Sequence, residues 1–126
     1  MDGIDELCDA VRETAFALHV YLGPGHFEHV YENALLHRLR KRGMWVESQV
    51  PLKVFDEDGT LIGNYIADLL VERRLILELK ASRRLTAEHI AQVLGYLKAS
   101  RQEHALLINF GAHVFEIRKY RSPASS

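Results

Sequence analysis

The sequence predicts an α/β protein with a central mixed β-sheet flanked by helices. Three observations carry this expectation. Apolar residues recur every three or four positions over residues 4–42 and again over 87–99. After Gly43 the period drops to two. Turn signals, Asp56-Glu57-Asp58-Gly59 and Gly111-Ala112, then separate short runs of β-type residues. The resulting order is α-α-β-β-β-α-β-β.

Each element has its own justification. Residues 4–22 form a first helix, with Leu7, Val11, Ala15 or Phe16, Leu18 and Leu22 as its stripe, stopped by Gly23-Pro24-Gly25. Residues 26–42 form a second, closed by Gly43, with Arg38, Arg40, Lys41 and Arg42 in its last turns, where cations suit the helix dipole. Trp45–Phe55 is a strand whose Pro51 marks an edge. It turns at 56–59 into Leu61–Ile66, and Ala67–Val71 and Leu75–Lys80 follow as buried strands around Glu72-Arg73-Arg74. Thr86 is an N-cap for a third helix, 87–99, striped by Ile90, Val93, Leu94 and Leu97. Ala105–Phe110 and His113–Arg118 make a last hairpin around Gly111-Ala112, and 122–126 form a frayed tail.

Composition bounds the function. With 126 residues, 48% apolar and 26% charged, the chain suits one globular domain over 1–126. Sixteen Lys+Arg against seventeen Asp+Glu give a net charge of -1, which excludes a highly basic nucleic-acid coat protein but not a local basic patch. Cys8 is the only cysteine, so no internal disulfide or Cys-based zinc finger can form, and the thiol reads as inert. The acidic start, Met1-Asp2-Gly3-Ile4-Asp5-Glu6, carries no signal-peptide pattern, and no apolar run nears the roughly 20 residues of a membrane helix. A cytoplasmic protein without membrane contact is expected.

The informative segment is Ile66–Lys80. Alternation places Ile66, Asp68 and Leu70 on one face, and Ile76, Glu78 and Lys80 on one face of the next strand. A three-residue loop at 72–74 sets Val71 opposite Leu75, and the same register carries Asp68 opposite Glu78, with Cβ atoms roughly 4.5–5.5 Å apart. Two like charges on an apolar sheet need an offset: a shared proton, a cationic side chain or a divalent ion. Hard oxygen ligands suit Mg²⁺ or Mn²⁺ better than zinc. Lys80, about 7 Å along the strand from Glu78, could stabilise a developing anion. The competing reading is an ordinary Glu78–Lys80 surface salt bridge, which the apolar Ile66, Leu70 and Ile76 argue against.

The helices add candidates. On the second helix, counting about 100° per residue from Phe27, the apolar set centres near about 40°; Glu28 falls inside that face and Glu32 at its margin. On the third, Gln92 and Tyr96 lie one turn apart and opposite the apolar stripe, toward solvent or a cleft.

Together these residues carry a resemblance. Gly25-His26-Phe27-Glu28-His29-Val30-Tyr31 resembles the signature of the GxxExxY family of small bacterial and archaeal proteins, and Gln49-Val50-Pro51 and Ile108-Asn109-Phe110-Gly111 extend the likeness over about Leu18–Ile117. That family resembles the PD-(D/E)XK nuclease superfamily and implies its restriction-endonuclease-like core. Asp68 stands at the D position, Glu78-Leu79-Lys80 at E-x-K, and Gln92-Val93-Leu94-Gly95-Tyr96 resembles the QxxxY motif. Ala67 replaces the usual proline before the aspartate. The resemblance implies that Asp68 and Glu78 ligate Mg²⁺ or Mn²⁺ with the Leu79 carbonyl, and that Glu28 completes the ligand set or supports it from its helix. Lys80 would position the attacking water, and Gln92 and Tyr96 would support the site or contact a phosphate. The implied activity is hydrolysis of phosphodiester bonds in DNA, with RNA the second choice.

Two other classes stay open. One is a catalytically silent nucleic-acid- or protein-binding module on the same fold; the other is a small-molecule enzyme using Glu28 and Asp68 as acid and base. A homodimer or protein partner would suit so short a chain. The seven histidines lack metal-ligand spacing and read as solvated. The basic clusters at Arg38–Arg42, Arg73-Arg74, Arg83-Arg84 and Arg118-Lys119 would matter for nucleic acid only if they converged.

Overall fold

The computed structural model describes residues 3–122. The elements run α1 (Ile4–Leu22), α2 (Glu28–Lys41), β1 (Val46–Phe55), β2 (Leu61–Val71), β3 (Leu75–Lys80), α3 (Ala87–Ala99), β4 (His104–Asn109) and β5 (Glu116–Arg121). The strands form one sheet in the order β1-β2-β3-β4-β5. Only β3 and β4 are parallel, joined by the α3 crossover, and the other pairs are antiparallel. This is a restriction-endonuclease-like α/β fold with a mixed sheet between helices.

Alternation along β3 and β4 divides the core in two. Leu75, Leu77, Leu79, Leu106 and Ile108 pack with α1 and α2. Ile76, Ala105 and Leu107 pack with Val93, Tyr96 and Leu97 of α3. Thr86 caps α3 as its sequence suggests, with its hydroxyl accepting from the His89 N–H and His89 Nδ1 accepting from the Thr86 N–H. Cys8 is buried, and burial pushes its thiol pKa up, as befits an inert side chain.

Several boundaries differ from the sequence expectation. The second helix starts at Glu28, so His26 precedes it, and Phe27 is 78% exposed instead of opening the apolar stripe. The buried stripe of α2 is Tyr31, Leu35 and Leu39, which turns the core-facing side toward Glu28 and Glu32. On α1, Ala15 is buried and Phe16 exposed. On α3 the buried stripe is Val93, Tyr96 and Leu97, so Tyr96 faces the sheet and not solvent. Residues 61–71 form one long strand. The last hairpin has a six-residue connection, 110–115, because Phe110 drops into the core and stacks on Tyr31, ring centroids 4.8 Å apart. Of the expected frayed tail at 122–126, Ser122 is instead buried and its N–H donates to the Glu103 carbonyl at 2.8 Å, and 123–126 lie outside the described residues.

The consequential irregularity lies between β1 and β2. Their ladder pairs Ser48 with Leu69 and Val50 with Ala67 but skips Gln49 and Asp68. Gln49 has φ 53°, in the left-handed region. The break reverses the faces: Leu69 and Val46 pack toward α1 and α2, whereas Ala67 and Leu52 pack toward α3. Ile66 therefore does not share a face with Leu70; it is 51% exposed on the outer half of the hairpin.

Candidate active site

The β2–β3 ladder follows the expected register, Leu69 to Leu77, Leu70 to Ile76 and Val71 to Leu75, and stops one residue short of Asp68 and Glu78. There the strands fork. The Leu79 N–H, free of a strand partner on that side, donates to Asp68 Oδ2 at 2.8 Å. Asp68 is thus held at the fork by a main-chain donor and reaches the Glu78 carboxyl with its side chain.

Glu78 is 3% exposed, and its Oε1 is buried with no hydrogen-bond partner. Its other oxygen, Oε2, lies 3.3 Å from Lys80 Nζ. Burial chiefly, then the Asp68 charge, push the Glu78 pKa up to about 8, against the opposing pull of Lys80. Of the three offsets the sequence left open, the cationic side chain is present: Lys80 stands at Glu78 Oε2.

Helix α2 delivers two more carboxylates from its first turns. Glu28 faces solvent on one side and the site on the other; desolvation raises its pKa, Lys80 lowers it, Asp68 raises it, and the Ala81 N–H donates to it. The motif residues around it are structural. Gly25 has φ 111°, a backbone that suits glycine. Tyr31 is fully buried and its hydroxyl bridges the His26 N–H and the Gly23 carbonyl, which fixes the entry to α2 and so the direction of Glu28. His29 is exposed and stacks on Phe27, away from any ligand set.

Glu32, placed by sequence at the margin of the apolar face, belongs to this group. Gln49 Nε2 donates to both of its oxygens, at 2.9 and 3.0 Å, and its side chain reaches that of Asp68. Desolvation raises its pKa first, with Asp68 and Glu28 adding to the rise. The signal for Glu32 was its position four residues after Glu28; Gln49 stood only in the Gln49-Val50-Pro51 segment of the resemblance, with no role attached.

From the opposite face, α3 supplies Gln92 and Tyr96. Gln92 Nε2 donates to the Tyr96 hydroxyl at 2.9 Å. Burial, then the Glu78 and Asp68 charges, push the Tyr96 pKa up to about 12, so it stays a phenol. The six side chains singled out by sequence (Glu28, Asp68, Glu78, Lys80, Gln92 and Tyr96) thus meet in one electrostatic neighbourhood.

The basic clusters do not converge there. Arg73 and Arg74 lie at the far end of β3, and Arg38–Arg42 at the far end of α2. Arg83 and Arg84, both exposed, follow β3 directly and are the cations on the side of the site.

The donors are hard oxygens, with one buried carboxylate oxygen unpaired, and this chemistry fits Mg²⁺ or Mn²⁺. Among the described residues no group of three or more His, Cys, Asp or Glu side chains is drawn together tightly enough to hold an ion as it stands. No helix among them is long and apolar enough to cross a membrane.

A mixed sheet whose central strands fork around paired carboxylates and a lysine defines a nuclease-like class of α/β protein. A sequence profile of the PD-(D/E)XK nuclease superfamily matches residues 5–120, and the chain belongs to that superfamily. Its members generally use divalent metal ions. The fold is similar to the crystal structure described as that of SSO0001, with a TM-score of 0.61 at 18% identity over 75% of this chain. The likeness spans 50% of that protein, so this chain matches about half its length. No curated protein matches the sequence.

Proposed function

We propose that this protein is a metal-dependent nuclease of the GxxExxY type that hydrolyses phosphodiester bonds, with DNA as substrate ahead of RNA. The observation that carries the reading is Glu78: a buried carboxylate beside Asp68, one oxygen paired to Lys80 and the other unpaired. A buried group kept in so unfavourable a state marks function more often than packing.

In this reading Asp68 and Glu78, with the Leu79 carbonyl and Glu28, hold Mg²⁺ or Mn²⁺. The ion, when bound, supplies Lewis acidity and lowers the pKa of a water. The Leu79 N–H fixes Asp68, so one ligand is oriented before substrate arrives. Lys80, held at Glu78, presents its ammonium to the attacking water and to the charge that develops on the phosphate. Tyr96 keeps its proton and, with Gln92 donating to its oxygen, can offer that proton to a phosphate oxygen. Arg83 and Arg84 would meet the nucleic-acid backbone. The setting is cytoplasmic, without a membrane.

The test is cleavage of single- and double-stranded DNA and RNA by the purified protein with Mg²⁺ or Mn²⁺, and with chelator. Cleavage that needs the ion and is lost in Lys80→Ala supports the reading. Equal cleavage by wild type and Lys80→Ala would remove Lys80 from the mechanism, and no cleavage of any substrate would sink the nuclease reading. The second reading is a silent binding module that retains the fold. It predicts nucleic-acid or protein binding that is indifferent to divalent ions.

A further inference from the structure

We propose that Gln49 and Glu32 form a positioning pair for the carboxylate site, in which Gln49 orients Glu32 and Glu32 joins Asp68 in attracting a divalent cation. The inference rests on the cleft being a cation site, as set out above, and extends it to two residues outside the nuclease motif.

Three independent features point to the pair. The first is backbone. Gln49 stands opposite Asp68 at a break within the β1–β2 ladder, with φ 53°. An L-residue with a long side chain is costly there, and Gly or Asn would be the ordinary occupant. Gln49 is exposed, so no packing role explains its choice. Such strain persists where a site needs it.

The second feature is what that backbone achieves. It turns the Gln49 amide to α2, where one nitrogen donates to both Glu32 oxygens at 2.9 and 3.0 Å. Glu32 is thereby held by Gln49 while its side chain lies within reach of that of Asp68. A neutral amide suits this task, because it fixes the carboxylate without cancelling its charge.

The third is the demand for a cation at the centre of the cluster. Glu78 Oε1 is buried and unpaired beside Asp68, and Lys80 serves only the other oxygen. Glu32 adds negative charge to a group that already lacks enough positive charge. A divalent ion answers both shortages, and a fixed Glu32 raises the affinity for it.

The experiment is calorimetric titration of Mn²⁺ into the full chain as wild type, Glu32→Gln, Gln49→Asn and the double variant, with thermal unfolding to verify each fold. Gln49→Asn keeps an amide and tolerates the left-handed backbone but falls one methylene short of Glu32. Glu32→Gln should weaken Mn²⁺ binding about tenfold or more and Gln49→Asn about threefold or more. The double variant should bind within about twofold of Glu32→Gln alone, because Gln49 acts only through Glu32. Gln49→Gly, which relieves the backbone, should weaken binding like Gln49→Asn while unfolding no earlier than wild type; a purely structural Gln49 would show neither. Unchanged affinity in the single variants, or losses that multiply in the double, overturn the proposal. So does a wild type that takes up no Mn²⁺, whether or not it cleaves. Wild type that binds Mn²⁺ with this pattern but cleaves no nucleic acid leaves the pair standing and removes the nuclease reading.

Discussion

The Leu79 N–H donates to Asp68 Oδ2 at 2.8 Å, and this one bond replaces the next rung of the β2–β3 ladder. A side chain thus stands in for a strand. The substitution opens the sheet at the fork without leaving a buried N–H unpaired, and it fixes Asp68 where Glu78 can reach it.

Asp68 variants separate these two jobs. Asp68→Asn keeps an acceptor for the Leu79 N–H and removes the charge next to Glu78. It should fold at least as stably as wild type and lose about a hundredfold or more of any ion-dependent cleavage. Asp68→Ala strands the N–H as well, and should unfold about 1–3 kcal/mol more easily than Asp68→Asn. Denaturant midpoints for the pair check this, and equal stability of the two would show that the bond contributes nothing.

Stability should fall as pH rises. Burial raises the Glu78 pKa to about 8 from the 4.5 expected of an unfolded chain, so between these values the folded state binds more protons than the unfolded one. Stability is therefore fully present below about pH 4.5 as far as this group is concerned, and is lost as pH climbs to about 8. Glu28 and Glu32, also raised, act in the same direction. A tenfold change in proton affinity is worth ~1.4 kcal/mol, so the loss should reach a few kcal/mol. Urea unfolding at pH 5, 6, 7 and 8 without divalent ions measures it. Glu78→Gln should flatten the slope, and a wild type equally stable at pH 5 and 8 would contradict the burial argument.

Tyr96→Phe deletes the hydroxyl that accepts from Gln92 but keeps the ring in the α3 core. Cleavage should drop about tenfold, with the unfolding midpoint nearly unchanged. Because the phenol pKa lies at about 12, the wild-type rate should show no alkaline limb from Tyr96 below about pH 10. A limb in that range that vanishes in Tyr96→Phe would mean that the phenolate takes part.

Gly111→Ala should disturb the site from behind. A Cβ there would stand 2.3 Å from the Ala81 carbonyl carbon and 2.3 Å from the Ser82 nitrogen, both main-chain atoms just after Lys80. Asn109 ties the same segment together: its Oδ1 accepts from the Ser82 and Gly111 N–H groups, and its Nδ2 donates to the Ser82 carbonyl. Relief requires backbone movement, so the variant should be destabilised by about 3 kcal/mol, the upper part of the overpacking range. Thermal unfolding reads this directly, and a wild-type midpoint would refute the close approach.

Much of this was legible in sequence because it depends on local periodicity. The extents of α1 and α3, the Thr86 cap, and the pairing of Val71 with Leu75 all follow from spacings within a few residues. The register then brought Asp68 level with Glu78, because a tight loop leaves an antiparallel hairpin no freedom to slip. The superfamily motif residues were visible for the same reason: they are few, ordered and chemically distinctive.

Only the tertiary structure decided how these residues meet. Alternation carries Ile66, Asp68 and Leu70 along one face, but the break at Gln49 turns the strand and exposes Ile66. The α3 wheel sent Tyr96 outward, whereas packing against the twisted sheet buries it over the carboxylates. Glu32 and Gln49 are seventeen residues apart and joined by a bond that no periodicity encodes. Sequence determined the elements, the register and the identity of the ionisable groups, since each is a property of neighbours along the chain. The fork, the face reversal and the convergence of four carboxylates from α2, β2 and β3 required the helices and sheet to pack, because burial and charge act through space.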